Sequence, residues 1–437
     1  MTWRVRTLGE ICDEVGGVIQ TGPFGSQLHE SDYVEEGIPV VMPKNIVDGR
    51  ISTEDIARIS EVDVKRLQRH VLAVGDIVYG RRGDIGRRAL ITERERGWFC
   101  GTGCLRVSLG NTILDPTFLY YYLGESSVTN WIANQAIGAT LPNLNTSILR
   151  SVSARYPSLS IQRRIASILS AYDNLIENNT RRIKILEDLA KMIYREWFVN
   201  FQFPGHEKVK MAESEVGLIP QGWCVEPLER HLSVIETGNR PKGGIATFSE
   251  GMPSIGAESI LGVGRFDYAK TKYVPVEYFQ KMKLGILQDR DVLVYKDGGQ
   301  PGNFHPHVSL VGDGFPFAKM VINSHVYRIR VTERITQDFL YYHLSSDESL
   351  KWMHRNGTGS AIPGLARKDL LRLPLIVPPK TLVQQFERFA KPLNSLILIT
   401  ARRTQTLRKT KEYLLPKLIS GEVRVEQFET EAVAQGV

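Results

Sequence analysis

The sequence predicts two tandem copies of a mixed α/β (α+β) domain, each followed by one long helix. Three observations carry that expectation. A duplication spans the chain, strand-like runs sit between glycine-rich turns in each copy, and an apolar spacing of threes and fours follows each copy. At 437 residues the chain also exceeds the roughly 250–300 at which a single core usually divides.

The duplication is read residue by residue. Trp3, Val5 and Leu8 recur as Trp223, Val225 and Leu228 at an offset of 220. Val18-Ile19-Gln20-Thr21-Gly22 recurs as Val234-Ile235-Glu236-Thr237-Gly238 at 216, and Val78-Tyr79, Gly83 and Gly86 align with Val294-Tyr295, Gly299 and Gly302 at the same 216. From Phe118 onward the offset is 221 without a gap. Phe118-Leu119-Tyr120-Tyr121 pairs with Phe339-Leu340-Tyr341-Tyr342, Trp131 with Trp352, Pro157 with Pro378, and Arg181-Arg182 with Arg402-Arg403. One register held through aromatic, proline and charged positions marks a repeated domain, and the period is too long for a solenoid.

Within the copies, 38–42, 76–79 and 104–109, then 291–295 and 325–331, read as strands. The Phe-Leu-Tyr-Tyr segments read as helices near the end of each globular part. After Pro157 the apolar positions Ile165, Ile168, Tyr172, Leu175, Leu186, Leu189 and Ile193 form a heptad-like seam. Phe386, Phe389, Leu393, Leu396, Leu407 and Leu414 form its counterpart. Both seams turn polar at the middle, at Asn179 and Arg182 and at Thr400 and Arg403. Each helix is expected to run ~40 residues, about 60 Å at 1.5 Å per residue. Two such partners in one chain predict an antiparallel coiled coil, with Pro392 kinking or breaking the second helix. The expected division is a first domain over 1–157, a helix over 158–203, a linker over 204–222, a second domain over 223–378, a helix over 379–421 and a tail over 422–437.

A net charge of +7 and a pI near 9.1 are compatible with nucleic-acid binding without requiring it. Cys12, Cys100, Cys104 and Cys224 are too scattered for a disulfide framework and read as buried thiols. No apolar run approaches the ~18 residues a membrane span needs, and the N-terminus lacks a signal-peptide core, so a cytoplasmic location is expected. No phosphate-binding Gly-x-x-x-x-Gly-Lys-Ser/Thr loop occurs. Asp115-Pro116-Thr117-Phe118 faintly resembles an amino-methyltransferase loop, but Thr117 replaces its second proline and the other copy has Thr336-Gln337-Asp338-Phe339. A helix N-terminus there explains it better. His305-Pro306-His307 lacks the carboxylate support of a metal site. No catalytic residue, metal or cofactor is expected on this chain.

Three stretches carry a resemblance: Ile219-Pro220-Gln221-Gly222-Trp223 opening the second half, Trp197-Phe198-Val199-Asn200-Phe201 closing the first helix, and Leu414-Leu415-Pro416-Lys417-Leu418-Ile419-Ser420-Gly421-Glu422 closing the second. In this order, inside this duplication, the chain resembles the specificity subunits of type I restriction-modification enzymes. The resemblance implies two target recognition domains that each read half of a split double-stranded DNA site, with an antiparallel helix pair setting the gap. It also implies two methyltransferase subunits docked on the helices, and restriction/translocase subunits joined through them. S-adenosylmethionine, ATP and Mg would be used by those partners, not by this chain.

DNA recognition needs cations for phosphates and forked or amide side chains for base edges. The first candidate is the turn after the strand at 76–79, with Arg81, Arg82, Arg87 and Arg88. Its counterpart carries Lys296, Gln300 and Asn303. The second is the segment with Thr140, Asn143 and Asn145, matched by Ser360, Arg367 and Lys368. Lys44 and Asn45, loosely matched by Glu258 and Ser259, form a third. Two other readings stay open at this point. One is the specificity subunit of a related type IIB-like or phage-defence system; the other is a coiled-coil scaffold that does not read DNA.

Overall fold

The structure, a computed structural model, describes residues 3–82, 85–136, 143–245, 248–298, 304–357 and 363–425. It divides into two units, Met1–Asn174 with Arg408–Val437, and Leu175–Leu407. Each unit therefore takes one globular copy and a part of each long helix.

In the first unit a four-stranded antiparallel sheet runs in the order Val18–Thr21, Cys104–Ser108, Ile77–Gly80, Arg88–Leu90. A second sheet centres on Ile38–Val41, paired parallel with Phe99–Cys100 and antiparallel with Arg58–Ile59. The N-terminal strand Arg4–Thr7 pairs with Ser153–Tyr156, just before the long helix begins. The second unit repeats this plan. Leu232–Thr237, Val326–Val331, Val292–Tyr295 and Val308–Leu310 form the four-stranded sheet. Met252–Ile255 pairs parallel with Val321–Ile322 and antiparallel with Lys272–Val274, while Cys224–Pro227 pairs with Pro374–Val377.

The matched glycines Gly22 and Gly238 have the same cause in both units. A Cβ on Gly22 would lie 2.0 Å from the Gly101 carbonyl oxygen, and one on Gly238 1.6 Å from that of Ile322. Only glycine permits so close a backbone approach.

The central strands correct the alignment. Asp76 caps the turn before its strand, accepting from the Ala73 amide at 2.8 Å and from Arg106 at 2.6 Å. Asp291 does the same for the Gln288 amide at 2.7 Å and Arg328 at 2.6 Å. Ile77 and Tyr79 lie in the main core cluster with Val78 on the opposite face, as Val292 and Val294 do with Leu293. The offset here is therefore 215, not the 216 of the sequence alignment. Tyr79 is thereby equivalent to Val294 and not to Tyr295, because a one-residue slip in a strand exchanges its two faces.

The Phe-Leu-Tyr-Tyr segments form helices Pro116–Tyr122 and Gln337–Leu344. Asp115 caps the first through the Thr117 and Phe118 amides, both at 3.0 Å, so this segment is a helix start. Tyr121 donates to Asp173 at 2.6 Å and Tyr342 to Asn394 at 2.6 Å, tying each globular part to a long helix.

The long helices span Leu159–Phe198 and Lys380–Ser420, 40 and 41 residues. The break expected at Pro392 does not occur. A proline inside a helix costs about 3 kcal/mol. Here Phe386, Ala390, Asn394 and Ile397 bury one face on both sides of it, and Asn394 also donates to Asp338 at 2.6 Å, so packing carries the helix through. The seam differs from the expected one too: Leu175, Leu189 and Phe389 are 50%, 39% and 51% exposed. Arg182 and Arg403 are exposed as well. Of the expected positions Ile165 and Phe386 are buried, and the buried stripe adds Ala166 and Leu169 in the first unit and Ile183, Glu187, Ala190, Tyr194 and Phe198 in the second. Each helix also packs on a globular copy, so its buried positions drift from a strict heptad. Glu187, the charge in that stripe, is paired with Lys191 at 2.7 Å and with Arg265.

In the first unit Ile165, Ala166 and Leu169 share a core cluster with Leu418 and Ile419, and Asp173 pairs with Lys411 at 2.5 Å. In the second, Tyr194 and Phe198 pack against Phe386, with ring centroids 5.8 and 5.3 Å apart. Residues 204–222, expected as a linker, contain the hairpin Met211–Ser214 with Gly217–Pro220. Its Ile219 is buried with Phe203 and Trp223 in the second unit's core. Apolar residues interspersed among the glycines and charges made this folding possible.

Cys12, Cys100 and Cys104 are buried free thiols and Cys224 is half-buried. Burial pushes the Cys100 thiol up to about 12. No helix among the described residues is long and apolar enough to cross a membrane.

Candidate nucleic-acid interface

In the first unit the strand Ile77–Gly80 delivers Arg81 and Arg82 directly from the sheet. The Arg81 amide donates to the Gly103 carbonyl at 2.8 Å, and its carbonyl accepts from the Leu144 amide at 2.9 Å. Arg82 and Asn143 form an antiparallel bridge, and Arg81 Nε donates to Asn143 Oδ1 at 3.0 Å. The first and second candidate stretches thus meet as one surface. The third adjoins it, since a Cβ on Gly80 would lie 3.6 Å from Pro43.

The side chains on that surface divide by role. Arg82, Arg87, Lys44 and Asn143 are exposed and Arg81 is half-buried. Arg88 turns inward, donating to the Tyr120 carbonyl at 3.0 Å and the Gly86 carbonyl at 3.1 Å and lying 5.0 Å over the Tyr120 ring. Asn45 is 1% exposed and accepts from the Met42 amide at 3.0 Å, so its side chain serves the turn Pro43–Asn45. Asn145 caps the helix Thr146–Ser151 through the Ile148 amide at 2.9 Å. Thr140 lies outside the described residues.

The second unit repeats the backbone link with different chemistry. The Leu365 amide donates to the Lys296 carbonyl at 2.7 Å, and Asp297 bridges Gly364. Lys296 Nζ is engaged, by the Ser324 carbonyl at 3.2 Å and by Asp297 at 3.0 Å. Asp297 also binds His325 Nδ1. Burial works to raise the Asp297 carboxyl, but the His325 and Lys296 partners outweigh it and hold it below the usual carboxylate range. Burial also pushes the Tyr295 hydroxyl up, helped by the charges of Asp297 and Glu258. Arg367 and Lys368 are exposed at the start of the turn of helix Arg367–Leu371. Gln300, Asn303 and Ser360 lie outside the described residues.

His354 Nδ1 contacts the Phe304 carbonyl at 2.5 Å, and its ring stacks on His305 with centroids 5.9 Å apart. Among the described residues no three or more His, Cys, Asp or Glu side chains are grouped to hold a metal ion. Sequence reasoning did not find the Asp297–His325 pair or the Arg81–Asn143 link. The first had a signal: Asp76 and Asp291, 215 apart, carry the true register and place Asp297 opposite Arg82.

Residues 1–188 match the family model described as the type I restriction modification DNA specificity domain. The MjaIX specificity subunit, from a type I restriction enzyme of Methanocaldococcus jannaschii, is 25% identical, with 98% of this chain and 94% of that protein aligned. The MjaVIII specificity subunit from the same organism is 24% identical over the same shares. Among solved structures, the S subunit of a type I restriction-modification system from M. genitalium matches with a TM-score of 0.59 at 16% identity, over 96% of each chain, which is a likeness of fold. With its duplicated plan and an alignment that runs nearly end to end in both relatives, this chain is similar along its length to the specificity subunits of type I restriction enzymes, and its residues 1–188 match their DNA specificity domain.

Proposed function

We propose that this chain is the DNA-reading subunit of a type I restriction-modification complex. One observation carries the reading. Both units join the same two loops by the same backbone link, yet load them with different side chains, arginines in one and a Lys–Asp–His group in the other. A shared frame with divergent polar groups suits two modules that each read a different half-site in the major groove. The candidate contacts are Lys44, Arg81, Arg82, Arg87 and Asn143 in the first module and Lys296, Arg367 and Lys368 in the second, together with Thr140, Gln300, Asn303 and Ser360 on the strength of the sequence alone. Base-resolved adenine-methylation mapping tests it, in cells carrying this chain with its neighbouring methyltransferase. A split motif with a fixed unspecified gap, lost on deleting this chain, is expected. Methylation indifferent to the deletion would point to a scaffold that does not read DNA.

The recognition modules are taken as 1–157 and 223–378, and the long helices between and after them as an antiparallel coiled coil that sets the gap. The contacts of Asp173 with Lys411, and of Tyr194 and Phe198 with Phe386, support that pairing. Half-sites about one helical turn apart, roughly 34–36 Å, suit a pair of such modules. Deleting one heptad from each helix should shorten the tolerated gap, read directly from the methylated motif. An unchanged gap would refute the ruler.

Methyltransferase subunits are assigned to the helices. Ile185, Leu189 and Met192, spaced by four and three on the first long helix, are 59%, 39% and 55% exposed. Beside them lies a cleft of about 510 Å³ lined by Lys191, Arg195, Glu196, Asp347 and Glu348. An apolar stripe with a charged rim fits a protein partner. That partner would bind S-adenosylmethionine and flip the target adenine out of the duplex, since its pocket cannot close on a stacked base. Restriction subunits using ATP and Mg would join through it, in the cytoplasm, and this chain would carry none of that chemistry.

A further inference from the structure

Among the described residues, the first module holds an arginine whose guanidinium is oriented but only partly engaged. Arg81 is fixed at its backbone on both sides, by Gly103 and by Leu144. Its Nε is fixed by Asn143 at 3.0 Å. Its terminal nitrogens, Nη1 and Nη2, have no partner among the described residues, and the side chain is half-buried where an arginine free in solvent would sweep. Its neighbours differ. Arg88 is spent on Tyr120 and Gly86, and Arg82 is exposed with no side-chain hydrogen bond to aim it among the described residues. At the equivalent place in the second unit Lys296 is neutralised by Asp297 and bound to the Ser324 carbonyl.

From this geometry we infer that Arg81 reads a guanine in the half-site of the first module, and that Asn143 is the positioning residue that aims it. The reasoning rests on the DNA-reading function proposed above and names the base that one side chain takes. A guanidinium with Nε occupied presents its two remaining nitrogens as a planar fork. The major-groove edge of guanine offers O6 and N7 as two acceptors at matching spacing, and no other base does. A phosphate contact would need only charge, which exposed Arg82 and Lys44 supply without an aiming partner. The second module, lacking a free fork at this place, takes no guanine by this route.

Lysine separates the two roles, because it keeps the charge and loses the fork. Methylation motifs are mapped for the native complex and for complexes carrying Arg81→Lys or Asn143→Ala. With Arg81→Lys, one guanine position in one half of the motif should lose discrimination by about tenfold or more, with the other half unchanged. Asn143→Ala should relax the same position to a lesser degree, and the intact second half reports that the chain is folded. A motif unchanged by Arg81→Lys, relaxation at a position other than guanine, or an even loss of methylation over all positions overturns the assignment. A native complex that lays down no split motif would instead overturn the DNA-reading function itself.

Discussion

Replacing Arg290 with alanine is expected to destabilise the second unit by about 4 kcal/mol, the range for stripping one partner from a buried ion pair. Arg290 is 8% exposed and donates to Asp338 at 3.2 Å, to Asp313 at 3.1 Å and to Ser395 on the second long helix. Gln337 Nε2 donates to its carbonyl at 2.7 Å. Without the guanidinium, Asp338, 1% exposed, keeps the Asn394 amide at 2.6 Å as its side-chain partner among the described residues. Burial, together with the Asp338 charge, already pushes the nearby Glu387 carboxyl up, so the site has little tolerance for a lost cation. The residue also sits at φ +65°, a left-handed conformation that costs a side chain about 1 kcal/mol or more. Its equivalent in the first unit is Gly75 at φ +89°. Arg290→Gly should therefore be less damaging than Arg290→Ala by about 1 kcal/mol. Urea midpoints, with hydrogen exchange of the Gln337–Leu344 amides, read both variants. An alanine variant within 1 kcal/mol of the parent would show that the cluster contributes little.

Acid should unfold this protein through two buried histidines. His70 and His343 are 2% and 9% exposed, and each is lowered to about 4. For His70 the causes are burial and then the charges of Arg69 and Arg106, and Arg69 Nε donates to its Nε2 at 3.0 Å, a contact only the neutral ring accepts. For His343 the cause is burial, with His231 adding to it, and Tyr194 meets its Nδ1 at 3.2 Å. A histidine depressed in the folded state favours folding fully above its unfolded value near 6.5. That stability is lost as pH falls toward the folded value. Each ring should cost roughly 3 kcal/mol by pH 4. Melting temperature is expected to be level above pH 7 and to fall steadily from 6.5 to 4.5, with His343→Gln flattening the fall in the second unit. Stability constant across that window would contradict the buried neutral state.

The legible part of this fold was the part with a periodic or covalent signature. Gly22 and Gly238, the Phe-Leu-Tyr-Tyr helices and the long helices were all visible as repeats. Each is set by local sequence: a missing Cβ, an Asp or Thr cap, or forty residues of helical spacing. The seam was less legible because Leu175, Leu189 and Phe389 have the right spacing and the wrong surroundings. Pro392 was misread for the opposite reason, since its local penalty is real and packing by Asn394 and Phe386 outweighs it. Among the candidate contacts, sequence could mark Arg81, Arg88, Asn45 and Asn145 as polar residues on turns, but not tell them apart. Arg88 and Asn45 turn inward and Asn145 caps a helix, whereas Arg81 is aimed by a residue 62 positions away.

By itself the sequence determined that a domain is present twice, that each copy is followed by a helix of about ten turns, and which family that plan resembles. Those properties follow from pattern along the chain, where backbone geometry imposes a period of 2 or 3.6 whatever the neighbours are. Only the tertiary structure decided the 215 register of the central strands, the ion pairs beneath them, the continuity through Pro392 and the aiming of the Arg81 guanidinium by Asn143. Each depends on groups far apart in the chain competing for one partner, and that competition is settled by burial and distance.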